Sequence, residues 1–111
     1  MEIRNAKITH ASVALDDRDR LSAQLCFDMQ SKHSTCRIGL VITDPNDARK
    51  LQELMIYTDT YEFDKLCGKI VRVVIHKGTL HGFVHPTEDR FISVVDNGFL
   101  ELTEKQFKQA K

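Results

Sequence analysis

The chain has 111 residues, enough for one domain with a real core and too few for a second. Sixteen basic and sixteen acidic residues leave a formal net charge of zero, which excludes the basic field that concentrates a protein on duplex nucleic acid or an anionic membrane. There is no secretory segment, no membrane-length apolar run, no internal repeat and no low-complexity linker, so a single domain over residues 1–111, in the cytoplasm, is expected.

From Glu2 to Leu15, Ile3, Ile8, Val13 and Leu15 alternate imperfectly with polar residues, which predicts a long strand with a bulge near Thr9 to Ala11. Asp16, Asp17, Arg18 and Asp19 form a charged turn. Leu21, Ala23, Leu25, Phe27 and Met29 then alternate with Ser22, Gln24, Cys26 and Asp28, the pattern of a half-buried strand. Gln30 to Ser34 reads as a loop. A third strand runs from about Thr35 to Thr43, with Cys36, Ile38, Leu40 and Ile42 on one side and Arg37, Gly39 and Val41 on the other. Three strands in succession predict an antiparallel meander.

Asp44, Pro45, Asn46 and Asp47 announce a helix. Asp44 can cap it, proline suits its first position and Asp47 favours the positive end of its dipole. Ala48, Leu51, Leu54 and Met55 make an apolar stripe that should cover the sheet, while Arg49, Lys50, Gln52 and Glu53 face water. A short turn over Tyr61 to Leu66 leads through Gly68 into two β-branched runs, Lys69 to His76 and Thr79 to His85, joined by Lys77 and Gly78. Pairing His76 with Thr79 places Arg72 opposite Phe83 and Val74 opposite His81. One face would then be wholly apolar, and the other would carry Arg72, Phe83, His76, His81 and His85. After Pro86 and the acidic loop Thr87 to Asp89, a strand over Arg90 to Asp96, a turn at Asn97 and Gly98, a strand over Phe99 to Leu102 and a short helix over Glu104 to Ala110 are expected.

Little in this pattern suggests catalysis. The three cysteines, Cys26, Cys36 and Cys67, are odd in number and lack paired spacing, so they read as small core hydrophobes of a reducing cytosol, with Cys67 buried at a turn. His81 and His85 lie about 13 Å apart along one strand, too far for one zinc ion, and His76 with His81 would need a third ligand from elsewhere. Phosphate-binding loops and nucleophile elbows are absent from the sequence. No catalytic residue, metal or cofactor is therefore expected. A guanidinium beside a ring, Arg72 with Phe83, offers an ionic clamp and a stacking platform for a phosphate and a base. The same face could equally be solvated, or pack on a symmetric partner with Phe83 as its anchor.

In order and spacing, several short motifs resemble a family of small phage-encoded proteins. They are Ile3, Asn5, Ala6 and Ile8; Asp17 and Leu21; Leu66, Gly68, Lys69, Arg72 and Val73; Gly82 and His85; and Asp89, Arg90 and Phe91. That family includes or lies near the Thoeris anti-defence sponges, non-enzymatic oligomers that sequester cyclic nucleotide immune signals without cleaving them. The resemblance implies a counter-defence protein of the host cytoplasm, a homo-oligomer binding a cyclic ADP-ribose-type or cyclic oligonucleotide signal between subunits. By motif position it carries over Arg72 as a ligand residue; Phe83, His85, Arg37 and Arg90 join the candidate site from face and charge. Two departures are plain. The family's glycine-rich aromatic segment is here Thr35 to Leu40, and the chain has no tryptophan.

The expected fold is α+β, an antiparallel sheet of about six strands with one main helix on one face and a short C-terminal helix. The expected function is a sponge for a nucleotide signal. The alternative is an anti-CRISPR-like inhibitor that contacts a host defence protein directly, through the same face or the acidic loops.

Overall fold

In the computed structural model, residues 2–29, 35–88 and 90–94 are described. The strands are β1 (Glu2–Leu15), β2 (Leu21–Asp28), β3 (Thr35–Val41), β4 (Ile70–His76), β5 (Thr79–Val84) and β6 (Phe91–Ser93). Between β3 and β4 lie the helix α1 (Pro45–Tyr57) and a 3-10 turn over Phe63–Leu66. All neighbouring strands are antiparallel, in the order β3-β2-β1-β4-β5-β6. The α+β class and, among the described residues, an antiparallel sheet of six strands with one main helix on it are as expected. The loop Gln30 to Ser34, the turn at Asn97, the strand Phe99 to Leu102 and the helix Glu104 to Ala110 lie outside the described residues, and β6 accounts for only the start of the strand expected over Arg90 to Asp96.

The anticipated bulge in β1 falls at Thr9, between the pairs Ile8–Phe27 and His10–Cys26. It shifts the phase of the strand: Ala6 and Ile8 face the core before it, Ala11 after it, which explains the imperfect alternation of the sequence. Segment 67–69 grips the bulge. Ile8 N–H donates to the Lys69 carbonyl at 2.8 Å, and Gly68 N–H donates to the Ile8 carbonyl at 2.7 Å, with Gly68 at φ 93. Cys67 sits above this join, exposed rather than buried, its thiol donating to the Thr9 carbonyl at 3.4 Å.

A second bulge changes the reading of the central hairpin. Lys77 and Gly78 form the expected two-residue turn, both with positive φ (51 and 76), so His76 pairs with Thr79 and Ile75 with Leu80. The register then slips by one at His81. Val74 pairs with Gly82, Val73 with Phe83 and Arg72 with Val84. The expected pairing of Arg72 with Phe83 is thus replaced, and Phe83 turns to the opposite face. Burial explains the slip, because without the bulge Gly82 would point into the core and leave a void beside Phe27. With it, Phe83 is fully buried and its ring lies 5.6 Å from that of Phe27. The outer face keeps a small apolar cluster of its own, Val74 and Val84 with Ile3 and Phe91.

The bulge also places Gly82 where β6 comes closest. A Cβ there would sit 2.7 Å from the Ile92 carbonyl oxygen, a backbone atom that cannot move without lifting β6. Gly82→Ala is expected to destabilise the fold by about 1–3 kcal/mol, read as a lower midpoint in urea unfolding.

Helix α1 starts as the sequence predicts. Asp44 Oδ1 accepts from Asn46 N–H at 2.8 Å and Asp47 N–H at 3.5 Å, and Pro45 opens the first turn. Its apolar stripe covers the sheet as expected, with Leu54 buried and the half-buried Leu51 and Met55 packed against the same core, but Lys50, expected to face water, is buried, as is Tyr57. Two tethers hold the helix in place. At the β3 end, Asp47 accepts from the Val41 N–H at 2.9 Å and from Lys50 Nζ at 3.4 Å. Near the C-terminal end, Glu53 holds Arg90 at 2.9 Å.

Candidate functional site

The five residues proposed as a ligand site do not come together. Phe83 lies in the core and offers no accessible ring. Arg37 pairs with Cys26, which pairs with His10, whereas Arg72 pairs with Asn5. The two arginines share the outer face but stand three strands apart, roughly 14 Å sideways and about as far again along the strands. No one mononucleotide bridges them within a chain.

His85 and Arg90 do meet, beside the helix. The His85 ring packs edge-on against Tyr57 at 5.3 Å, and its Nδ1 accepts from the N–H groups of Thr87 and Glu88 at 3.1 and 2.9 Å. Those two bonds assign the proton of the neutral ring to Nε2, which lies 3.9 Å from Glu88 Oε2. Arg90 donates to both oxygens of Glu53, at 3.2 and 2.9 Å. It also lies 3.6 Å from Glu88 and 5.9 Å over the Tyr57 ring. Burial, reinforced by a hydrogen bond to Glu53, pushes the Tyr57 phenol above its ordinary range, so it stays protonated. Arg90 is therefore spent on two carboxylates, Glu53 and Glu88, and ties the end of β5 and the start of β6 to α1.

On the outer face His76 and His81 stack edge to face at 5.4 Å, with His81 buried. Partial desolvation, helped by the nearby His81 and Lys77, holds His76 below the usual histidine value. Among the described residues no group of three or more His, Cys, Asp or Glu side chains is placed to hold a metal ion.

A concavity lies on the other flank of α1. Its volume is about 510 Å³, and it is lined by Ile42, Ala48, Leu51, Gln52, Met55, Ile56, Asp59, Thr60 and Tyr61. The lining is mainly apolar, with one carboxylate and no basic side chain. Its far wall is built by the way the helix stops. Thr60 N–H returns to the Met55 carbonyl and Asp59 N–H to that of Ile56, with Asp59 at φ 52, the left-handed position that glycine usually fills. This turn throws Tyr61 outward, 90% exposed at the rim, next to the half-exposed Ile56.

The groove continues onto the sheet. Ile42 N–H donates to the Leu21 carbonyl, and Leu21 pairs with Leu15, so these three apolar residues form one row leading away from it. Leu15 is 64% exposed, and Leu21 and Val13 are exposed as well. Sequence reasoning missed this surface because it read the Ala48, Leu51, Leu54 and Met55 stripe as wholly covered, whereas Ala48, Leu51 and Met55 keep part of their surface in the groove even as Leu51 and Met55 pack against the core. The signal that could have found it is the excess of apolar positions beyond what one helix face can bury, with Tyr61 and Leu15 outside any strand interior.

No protein-family model, curated protein or solved structure matches the chain. Among the described residues no helix is long and apolar enough to cross a membrane.

Proposed function

We propose that the protein is a non-catalytic interaction module that acts by direct contact with another protein, which in the setting of phage counter-defence is a host defence protein. The observation that carries this reading is the open apolar groove on the flank of α1, where Ala48, Leu51 and Met55 keep part of their surface exposed and Ile56 and Tyr61 stand at the rim. A groove of this kind suits an apolar segment of a protein, with Asp59 ready to accept from a donor at its edge. An exposed tyrosine next to an aliphatic pocket is the composition of an interface hot spot.

The test is a double variant, Ile56→Asp with Tyr61→Ala, in affinity capture and then in titration against the partner recovered by the unmodified protein. Both residues are half-exposed or exposed, so folding stability should change by less than about 1 kcal/mol, whereas binding should weaken about 100-fold or more. Full affinity in the double variant would remove the groove from the function.

A second reading, the nucleotide-signal sponge, is favoured by one observation. Arg72, on the outer face between Asn5 and Val84, has no ion pair among the described residues. Native mass spectrometry with cyclic ADP-ribose isomers and cyclic di- and trinucleotides separates the two. A stoichiometric mass increment that is lost in Arg72→Ala and kept in the groove variant would establish the sponge and displace direct protein contact.

A further inference from the structure

We infer that β3 is a dimerisation edge, along which a second copy of this chain pairs antiparallel to extend the sheet across a two-fold axis through Ile38. The inference stands on backbone geometry and does not depend on what the groove takes up.

β3 is the last strand on its side of the sheet, so half of its backbone groups point away from β2. Ile42 N–H donates to the Leu21 carbonyl, which fixes the parity of the ladder. Cys36, Ile38 and Leu40 turn their peptide groups toward β2, and Thr35, Arg37, Gly39 and Val41 turn theirs outward. Val41 is already satisfied: its N–H goes to Asp47 Oδ2 at 2.9 Å, and its carbonyl accepts from Asp44 N–H at 3.0 Å. Among the described residues that leaves the N–H and carbonyl groups of Thr35, Arg37 and Gly39, three exposed residues, as an open edge.

The devices that normally blunt such an edge are missing here. β3 has no proline and one charged residue, and it pairs with β2 without a bulge. Among the described residues the opposite edge strand, β6, by contrast spans three residues.

Self-complementarity argues for a second copy over an arbitrary peptide. In the register centred on Ile38, Arg37 lies opposite Gly39 of the partner subunit and Gly39 opposite the partner's Arg37, giving four backbone hydrogen bonds. On the core face the half-exposed Ile38 meets the partner's Ile38, a close cross-strand apolar pair. Centring the axis on Arg37 would gain two more bonds but set two guanidinium groups directly against each other, so Arg37 selects the register. Arg37 is then an interface residue.

The experiment is sedimentation velocity on the full chain over a range of concentrations. The unmodified protein is expected to sediment as a dimer that dissociates on dilution. Arg37→Pro, which removes an outward N–H and leaves the β2 ladder intact, should sediment as a monomer with an unchanged thermal midpoint. The charge at position 39 tests the register even if the proline variant folds poorly. Gly39→Glu, opposite the partner's Arg37, should tighten the dimer about tenfold at low salt. Gly39→Lys should weaken it by a similar factor, and the double variant Arg37→Glu with Gly39→Lys should restore it. A protein that is monomeric at every concentration, a folded Arg37→Pro variant that still dimerises, or Gly39 variants that shift the equilibrium in the same direction would each overturn the inference.

Discussion

Phe83→Ala should cost about 4 kcal/mol of folding free energy, at the upper end of what large-to-small core substitutions cost. For a domain of this size that is a fall of roughly 20 °C in thermal midpoint. The reason lies in its contacts. The side chain is fully buried, pairs across the hairpin with Val73, abuts Ile92 on β6 and packs its ring against Phe27 from the other half of the sheet. Removing it opens a cavity where β2 and β5 meet, and backbone held in two ladders cannot collapse to fill it. The measurement is a thermal melt of Phe83→Ala beside Arg72→Ala. If Phe83 were instead a ring on the ligand face, both variants would melt near the unmodified protein.

The next largest effect is expected at Asp47, where one carboxylate does three jobs. It continues the N-terminal turn of α1, accepts from the Val41 N–H at the end of β3 and sits 3.4 Å from Lys50 Nζ, whose side chain is 6% exposed. Asp47→Ala removes that carboxylate from beside a buried ammonium group and leaves the Val41 N–H without its acceptor. The expected loss is about 3 kcal/mol, the low end for breaking a buried pair, since Asp47 itself keeps some contact with solvent. Adding Lys50→Met to Asp47→Ala should recover much of it, because the buried charge is then gone. Equilibrium unfolding of the two single variants and the double variant closes the cycle. A double variant no more stable than Asp47→Ala would show that the loss came from the strand end, and not from Lys50.

The two substitutions together describe how the molecule is held. Phe83 joins the two halves of the sheet by packing. Asp47 joins the helix to the end of β3 by hydrogen bonding.

Local chemistry made much of this legible in the amino-acid order. The β1 bulge near Thr9, the Asp44 cap with Pro45 behind it, the turn at Lys77 and Gly78 and the strand sequence all rest on interactions within a few residues of one another. Sequence periodicity and turn preferences report such interactions directly. The candidate site was not legible, for two physical reasons. A bulge of one residue at His81 has no signature beyond the glycine after it, yet it exchanges the faces of every residue that follows, and so moved Phe83 from the ligand face to the core. The groove beside α1 is built where the end of β3, the flank of the helix and the turn at Asp59 to Tyr61 come together, an arrangement that tertiary packing makes and no local pattern marks. The sequence by itself determined the class of fold, the order of its elements and the absence of a net charge. Tertiary structure alone decided which side chains share a face, because a sheet face and a helix flank are assigned by long-range pairing and packing, to which local spacing is blind.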